Sequence, residues 1–212
     1  MVTCRVLVTG FDWYRGLGFV FYHPNPSGVV ASRLNGAVVN DCRVRGLILN
    51  VSYSEINVLR RVLDEYKPGI IVSMGLHPRA TKPLLEMVAV NTMFSSLGDV
   101  SGYKPVFEKI DDKGPNVVSA PADIHGLYTY LKEKSFDVAP SNTLGLYLCN
   151  SVAYTIYSWA WRNKAKAVFI HVPPVGTLRL RIGMNTGVGE WGIDRLEELV
   201  REIIMYLSSP LT

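Results

Sequence analysis

The sequence has no apolar run near the roughly 20 residues that cross a bilayer, because Arg, Asn, Ser or Tyr breaks each stretch within a dozen residues. A soluble protein with no membrane partner is expected. Cysteine is scarce: Cys4, Cys42 and Cys149 are the only three in 212 residues, and no hydrophobic leader opens the sequence. A secreted disulfide scaffold is therefore not expected, and a reducing cytoplasm is the expected setting. Charge of one sign is nowhere concentrated. The net charge is +4, but the basic residues come as scattered pairs such as Arg43/Arg45, Arg60/Arg61 and Arg179/Arg181, so no nucleic-acid partner is indicated. The cysteines and four histidines are too far apart in sequence for a zinc site, so no metal is expected. Gly16-Leu17-Gly18 and Gly187-Val188-Gly189 lack the strand and helix that flank a phosphate-cradling loop. They read as turns.

What is present is a chain with 48% hydrophobic and 19% charged residues and no linker or low-complexity tract, enough for one sizeable core. Residues 1–212 are expected to form a single domain. Apolar runs at 4–9, 44–51, 70–74, 84–90 and 167–172 read as strands, and 136–138 as strand-like. Helical spacing marks 54–66, 122–134, 148–162 and 193–207, and Ser27 is expected to cap a short helix through residue 34. Strands alternating with helices, without period-two alternation, indicate a three-layer α/β/α fold around a central, largely parallel sheet. Ligands of such sheets bind beyond the carboxyl ends of the strands.

Cys149 stands where the polar loop Ser141-Asn142-Thr143-Leu144-Gly145 turns into an apolar helical pattern. A thiol at a helix N-terminus meets unpaired backbone N–H groups and the positive end of the helix dipole, which favour the thiolate. The alternative is a core thiol beside Leu148, Val152 and Ala153. A nucleophilic cysteine needs a base and a group that orients it. His171 ends the apolar strand Val168-Phe169-Ile170 and is followed by Val172-Pro173-Pro174. His23, His77 and His125 lie in loops or on a helix and read as solvated or locally bonded side chains. Glu86, within Leu84-Leu85-Glu86-Met87-Val88-Ala89-Val90, is either the solvent face of a half-exposed strand or a buried carboxylate that needs a partner.

Taken in order, these segments resemble pyroglutamyl peptidase type I, the pyrrolidone carboxyl peptidases. The resemblance is carried by Val6-Leu7-Val8-Thr9-Gly10-Phe11-Asp12, Asn25-Pro26-Ser27, Gly75, Glu86-Met87-Val88-Ala89-Val90-Asn91, Leu97-Gly98-Asp99, Gly114-Pro115, Leu144-Gly145-Leu146-Tyr147-Leu148-Cys149-Asn150 and Phe169-Ile170-His171-Val172-Pro173. It implies a Cys-His-Glu triad of Cys149, His171 and Glu86, with Phe11, Tyr14, Tyr147 and Leu148 contacting substrate. It implies a cytoplasmic thiol peptidase without cofactor, often a homotetramer, that removes an N-terminal pyroglutamyl residue from small peptides. The chain departs from the family pattern at Tyr14 and Tyr147, where phenylalanine is usual, and in a longer loop from Gly16 to Pro24. It also carries Ser96 where an oxyanion-binding arginine is usual. These departures leave two alternatives, a thiol amidase for another N-acyl group and a non-catalytic homologue that binds peptide N-termini.

Overall fold

Aliphatic and β-branched strands that alternate between two covered faces set the architecture of the computed structural model, which describes residues 4–13, 15–16, 20–21, 25–175 and 191–209. The strands are β1 (Cys4–Phe11), β2 (Arg15–Gly16), β3 (Val20–Phe21), β4 (Val38–Val39), β5 (Cys42–Leu49), β6 (Ile70–Leu76), β7 (Leu84–Glu86), β8 (Val88–Val90), β9 (Met93–Phe94), β10 (Val106–Glu108), β11 (Val117–Ser119), β12 (Ala139–Ser141) and β13 (Lys166–Val172). The helices are α1 (Pro26–Leu34), α2 (Glu55–Tyr66), α3 (Ile124–Glu133), α4 (Leu148–Asn163) and α5 (Ile193–Ser208). Seven strands form the main sheet in the order β12-β7-β13-β6-β1-β5-β4. It is mixed: β7 runs antiparallel to β13 and β4 to β5, while the other neighbours are parallel.

Alternate residues of each strand enter different cores. Val6, Val8, Val72, Val168 and Ile170 face α1, α3 and α5. Leu7, Ile71, Ala167 and Phe169 face α2 and α4. Fully burying each of the valine, leucine, isoleucine and phenylalanine side chains is worth about 1.5–3 kcal/mol, so the two layers hold the sheet from both sides.

Four expectations are corrected. Asn25, not Ser27, caps α1: its Oδ1 accepts the Ser27 N–H at 3.1 Å. Ser27 Oγ instead accepts the Phe11 N–H at 3.0 Å, fixing the end of β1. The run at 84–90 is two strands, because Met87 turns its N–H to Ser141 O and its carbonyl to the Ala120 N–H, and β8 then pairs with β11 outside the main sheet. The strand near 136–138 lies instead at β12, whose Pro140 is tolerated because β12 is the sheet edge. Finally, Cys4 and Cys42 are joined in a disulfide. They face each other in register at the starts of the adjacent strands β1 and β5, so the odd cysteine count conceals one pair.

Candidate active site

Three strand ends and one helix start meet on the α4 side of the sheet. Gly145, at φ +68°, lets the chain reverse before α4, a backbone angle that side chains rarely adopt. Tyr147 is the N-cap in extended conformation and offers no capping side-chain bond, and Cys149 is the second helical residue. The thiol therefore sits at the positive end of the helix dipole. Asn150 anchors this turn: its Nδ2 donates to Val90 O at 2.8 Å and to Thr92 O at 3.0 Å, and its Oδ1 accepts the Val90 N–H at 2.9 Å.

Below the thiol lies Gly75, near the end of β6. A Cβ at this position would stand 2.6 Å from Cys149 Sγ, 3.0 Å from Phe169 Cζ and 3.5 Å from Phe11 Cε2. Only a residue without a side chain leaves room for those three groups to converge. His171 is the register partner of Gly75 on β13 and is 3% exposed. Its Nδ1–H donates to Glu86 Oε1 at 2.6 Å. Cys149 also acts on this imidazole, and since Glu86 occupies Nδ1, Nε2 is the ring nitrogen left to exchange a proton with the thiol. Glu86 is fully buried, and its Oε2 has no hydrogen-bond partner among the described residues.

Burial by itself pulls the His171 pKa down. The neighbouring Cys149, then the bond and charge of Glu86, outweigh that and raise it to about 9. The imidazolium is thus the favoured form at neutral pH. Tyr157, entirely buried on α4, braces the carboxylate strand: its hydroxyl donates to Glu86 O at 2.7 Å and accepts the Phe169 N–H at 3.0 Å.

Glu86, Cys149 and His171, singled out in the sequence, are brought together, and Phe11 joins them above Gly75. Tyr147 is half-buried, donates its hydroxyl to Gly98 O at 2.9 Å and packs edge-on against Tyr53 at 5.8 Å. Leu148 is 2% exposed, inside the α2/α4 core. Tyr14 lies outside the described residues. Ser96 is exposed, between Ser95, whose Oγ accepts the N–H groups of Leu97 and Gly98, and the buried carboxylate of Asp99. Against burial, which acts to raise it, bonds from Ser101, Tyr53, Ser52 and Tyr103 hold the Asp99 pKa at about 2.

Sequence reasoning missed three residues here. Asn150 was legible as an amide within the first turn of an apolar helix. His77, which follows the apolar run at 70–74 and reads as a loop residue, has its ring 5.2 Å from that of His171. Nothing in the sequence marks Tyr157.

A family model described as pyroglutamyl peptidase matches residues 4–196. The chain is 31% identical over 172 residues to a pyrrolidone-carboxylate peptidase of Thermococcus litoralis, covering 80% of this chain and 76% of that protein. It is 33% identical over 172 residues to the pyrrolidone-carboxylate peptidase of Pyrococcus furiosus, covering 80% of each. Among solved structures, the pyrrolidone carboxyl peptidase from Thermococcus litoralis superposes with a TM-score of 0.87 at 26% identity, covering 97% of this chain and 93% of that one. A mutant pyrrolidone carboxyl peptidase from the hyperthermophile Pyrococcus furiosus gives 0.86 at 28% identity, covering 96% and 97%.

Proposed function

We propose that this chain, which belongs to the pyroglutamyl peptidase family, removes an N-terminal pyroglutamyl residue from small peptides with Cys149 as nucleophile, His171 as acid and base, and Glu86 as the orienting carboxylate. The observation that carries this reading is the His171 imidazole held between the Glu86 carboxylate and the Cys149 thiol at the start of a helix.

In this mechanism the Cys149 thiolate attacks the carbonyl carbon that joins the lactam to the next residue. A carbon–sulfur bond forms and the carbonyl electron pair moves to oxygen, beside the first-turn N–H groups of α4, which include that of Cys149. On collapse the carbon–nitrogen bond breaks, and the departing amine takes the proton from His171 Nε2. His171 then removes a proton from water, the resulting hydroxide attacks the thioester, and pyroglutamate leaves as the thiol is restored. Throughout, Glu86 holds the ring through Nδ1 and stabilises its charge.

A pyroglutamyl group is flat and uncharged, so an aromatic wall suits it. Phe11 and Tyr147 supply that wall, Leu148 backs it, and Tyr14 is assigned to it by the family resemblance. With Ser96 in place of arginine, the oxyanion depends on backbone donors. By the same resemblance, residues 1–212 work as one domain within a cytoplasmic homotetramer. The Cys4–Cys42 disulfide is compatible with a cytoplasm in which structural disulfides persist, as in hyperthermophiles.

Incubation with a pyroglutamyl-coumarin amide under reducing conditions tests the reading. Release that disappears in Cys149→Ala is expected. No release between pH 5 and 9, or preference for a different blocked amino acid, contradicts it.

A further inference from the structure

The backbone N–H of His77 donates to Val172 O at 2.9 Å, carrying the β6–β13 ladder one residue past Leu76. By strand parity, residue 77 then faces the same side as Gly75 and His171. Its half-buried ring stands 5.2 Å from that of His171 at an interplanar angle of 75°. Phe169 makes a similar contact on the same imidazole, at 5.3 Å and 76°. His77 Nδ1 accepts the Arg79 backbone N–H at 3.2 Å, so the neutral ring carries its proton on Nε2, and protonating Nδ1 sacrifices that bond.

We propose that His77 is a positioning residue for His171, a neutral ring of fixed tautomer that supports the imidazolium of the Cys149–His171 pair and opposes it once protonated. The inference rests on the assignment of Cys149 and His171 under Proposed function. A neutral aromatic ring beside a cation is attractive, whereas a second cation there repels it. The charged groups that act on His77 are His171 from β13, Glu86 from β7 and Arg79 from its own loop. Burial, then the charge of His171, keeps the His77 pKa below its ordinary value, although Glu86 opposes this. His77 is therefore neutral at pH 7, and its opposition appears only in acid.

The test is the rate of Cys149 alkylation by iodoacetamide against pH, without substrate. The other two cysteines are joined to each other, so the label reports Cys149 alone. His77→Phe keeps a ring but cannot titrate. It is expected to alkylate within about twofold of wild type at pH 7 and to lose reactivity at a higher pH than wild type in acid, because His171 stays protonated there and the second cation that would favour the thiolate is gone. His77→Ala, which removes the ring, is expected to alkylate about three- to fivefold more slowly at pH 7. Profiles of both variants that overlay wild type overturn the inference while leaving the nucleophile assignment intact. A wild-type thiol no faster than an ordinary one at neutral pH overturns both. Absence of pyroglutamyl release with normal alkylation counts against the substrate alone.

Discussion

The Nδ1–H of His171 reaches Glu86 Oε1 at 2.6 Å where the carboxylate is entirely withdrawn from solvent and the imidazole nearly so. A carboxylate at that depth is costly unless it is paired, and its partner is the His171 ring. Glu86→Gln keeps the shape and removes the charge. The kcat for a pyroglutamyl amide is expected to fall by about 100-fold or more, with a smaller change in KM. Steady-state kinetics of the folded variant check this, and an unchanged kcat removes Glu86 from the mechanism.

The same contacts predict how stability depends on pH. The folded pKa of His171 is about 9 against an ordinary 6.5, so its protonated form contributes stability that is fully present below pH 6.5. That contribution is lost as pH rises through about 9. The Tm is expected to decline from pH 6.5 to 9.5. The decline should shrink in Cys149→Ala, which removes the partner charge. Thermal melts of both proteins across that range decide it.

Gly75 predicts a steric effect. Alanine there places a Cβ 2.6 Å from Cys149 Sγ and 3.0 Å from the buried Phe169 ring, so the thiol must move. Displacement by about 1 Å costs on the order of 100-fold in rate, and overpacking costs about 1–3 kcal/mol. Gly75→Ala should therefore lose activity and denaturant stability together. A fully active, fully stable variant contradicts the position assigned to the sulfur.

Tyr157→Phe deletes one hydroxyl that serves two buried backbone groups, Glu86 O and Phe169 N. An orphaned buried group costs about 1–3 kcal/mol. A lower denaturant midpoint with an unchanged m-value is expected, together with a reduced kcat as β7 loosens against β13.

The central strands and the long helices were legible because their signals are local. Val6 to Val8 and Val168 to Ile170 are apolar without alternation since both sheet faces are covered, and Leu196, Val200, Ile203 and Leu207 repeat at helical spacing along one face. Cys149, His171 and Glu86 could be singled out because each is out of place locally: a thiol at a helix start, an imidazole at a strand end, a carboxylate in an apolar run. What the sequence concealed depends on pairing across the chain. The break at Met87 follows from its change of partner to Ser141 and Ala120. The Cys4–Cys42 bond follows from the register of two parallel strands separated by a helix. His77 looked like a loop residue because its role depends on a neighbour 94 positions away that is beside it only through the β6–β13 ladder.

The most direct test of the central claim is the intact mass of the protein quenched in acid during turnover of a pyroglutamyl ester, followed by peptide mapping. The mechanism predicts one pyroglutamyl acyl group per chain, carried on Cys149, absent in Cys149→Ala and accumulated in His171→Ala, where the thioester hydrolyses slowly. Turnover with no adduct at Cys149, or with the acyl group on another residue, contradicts it.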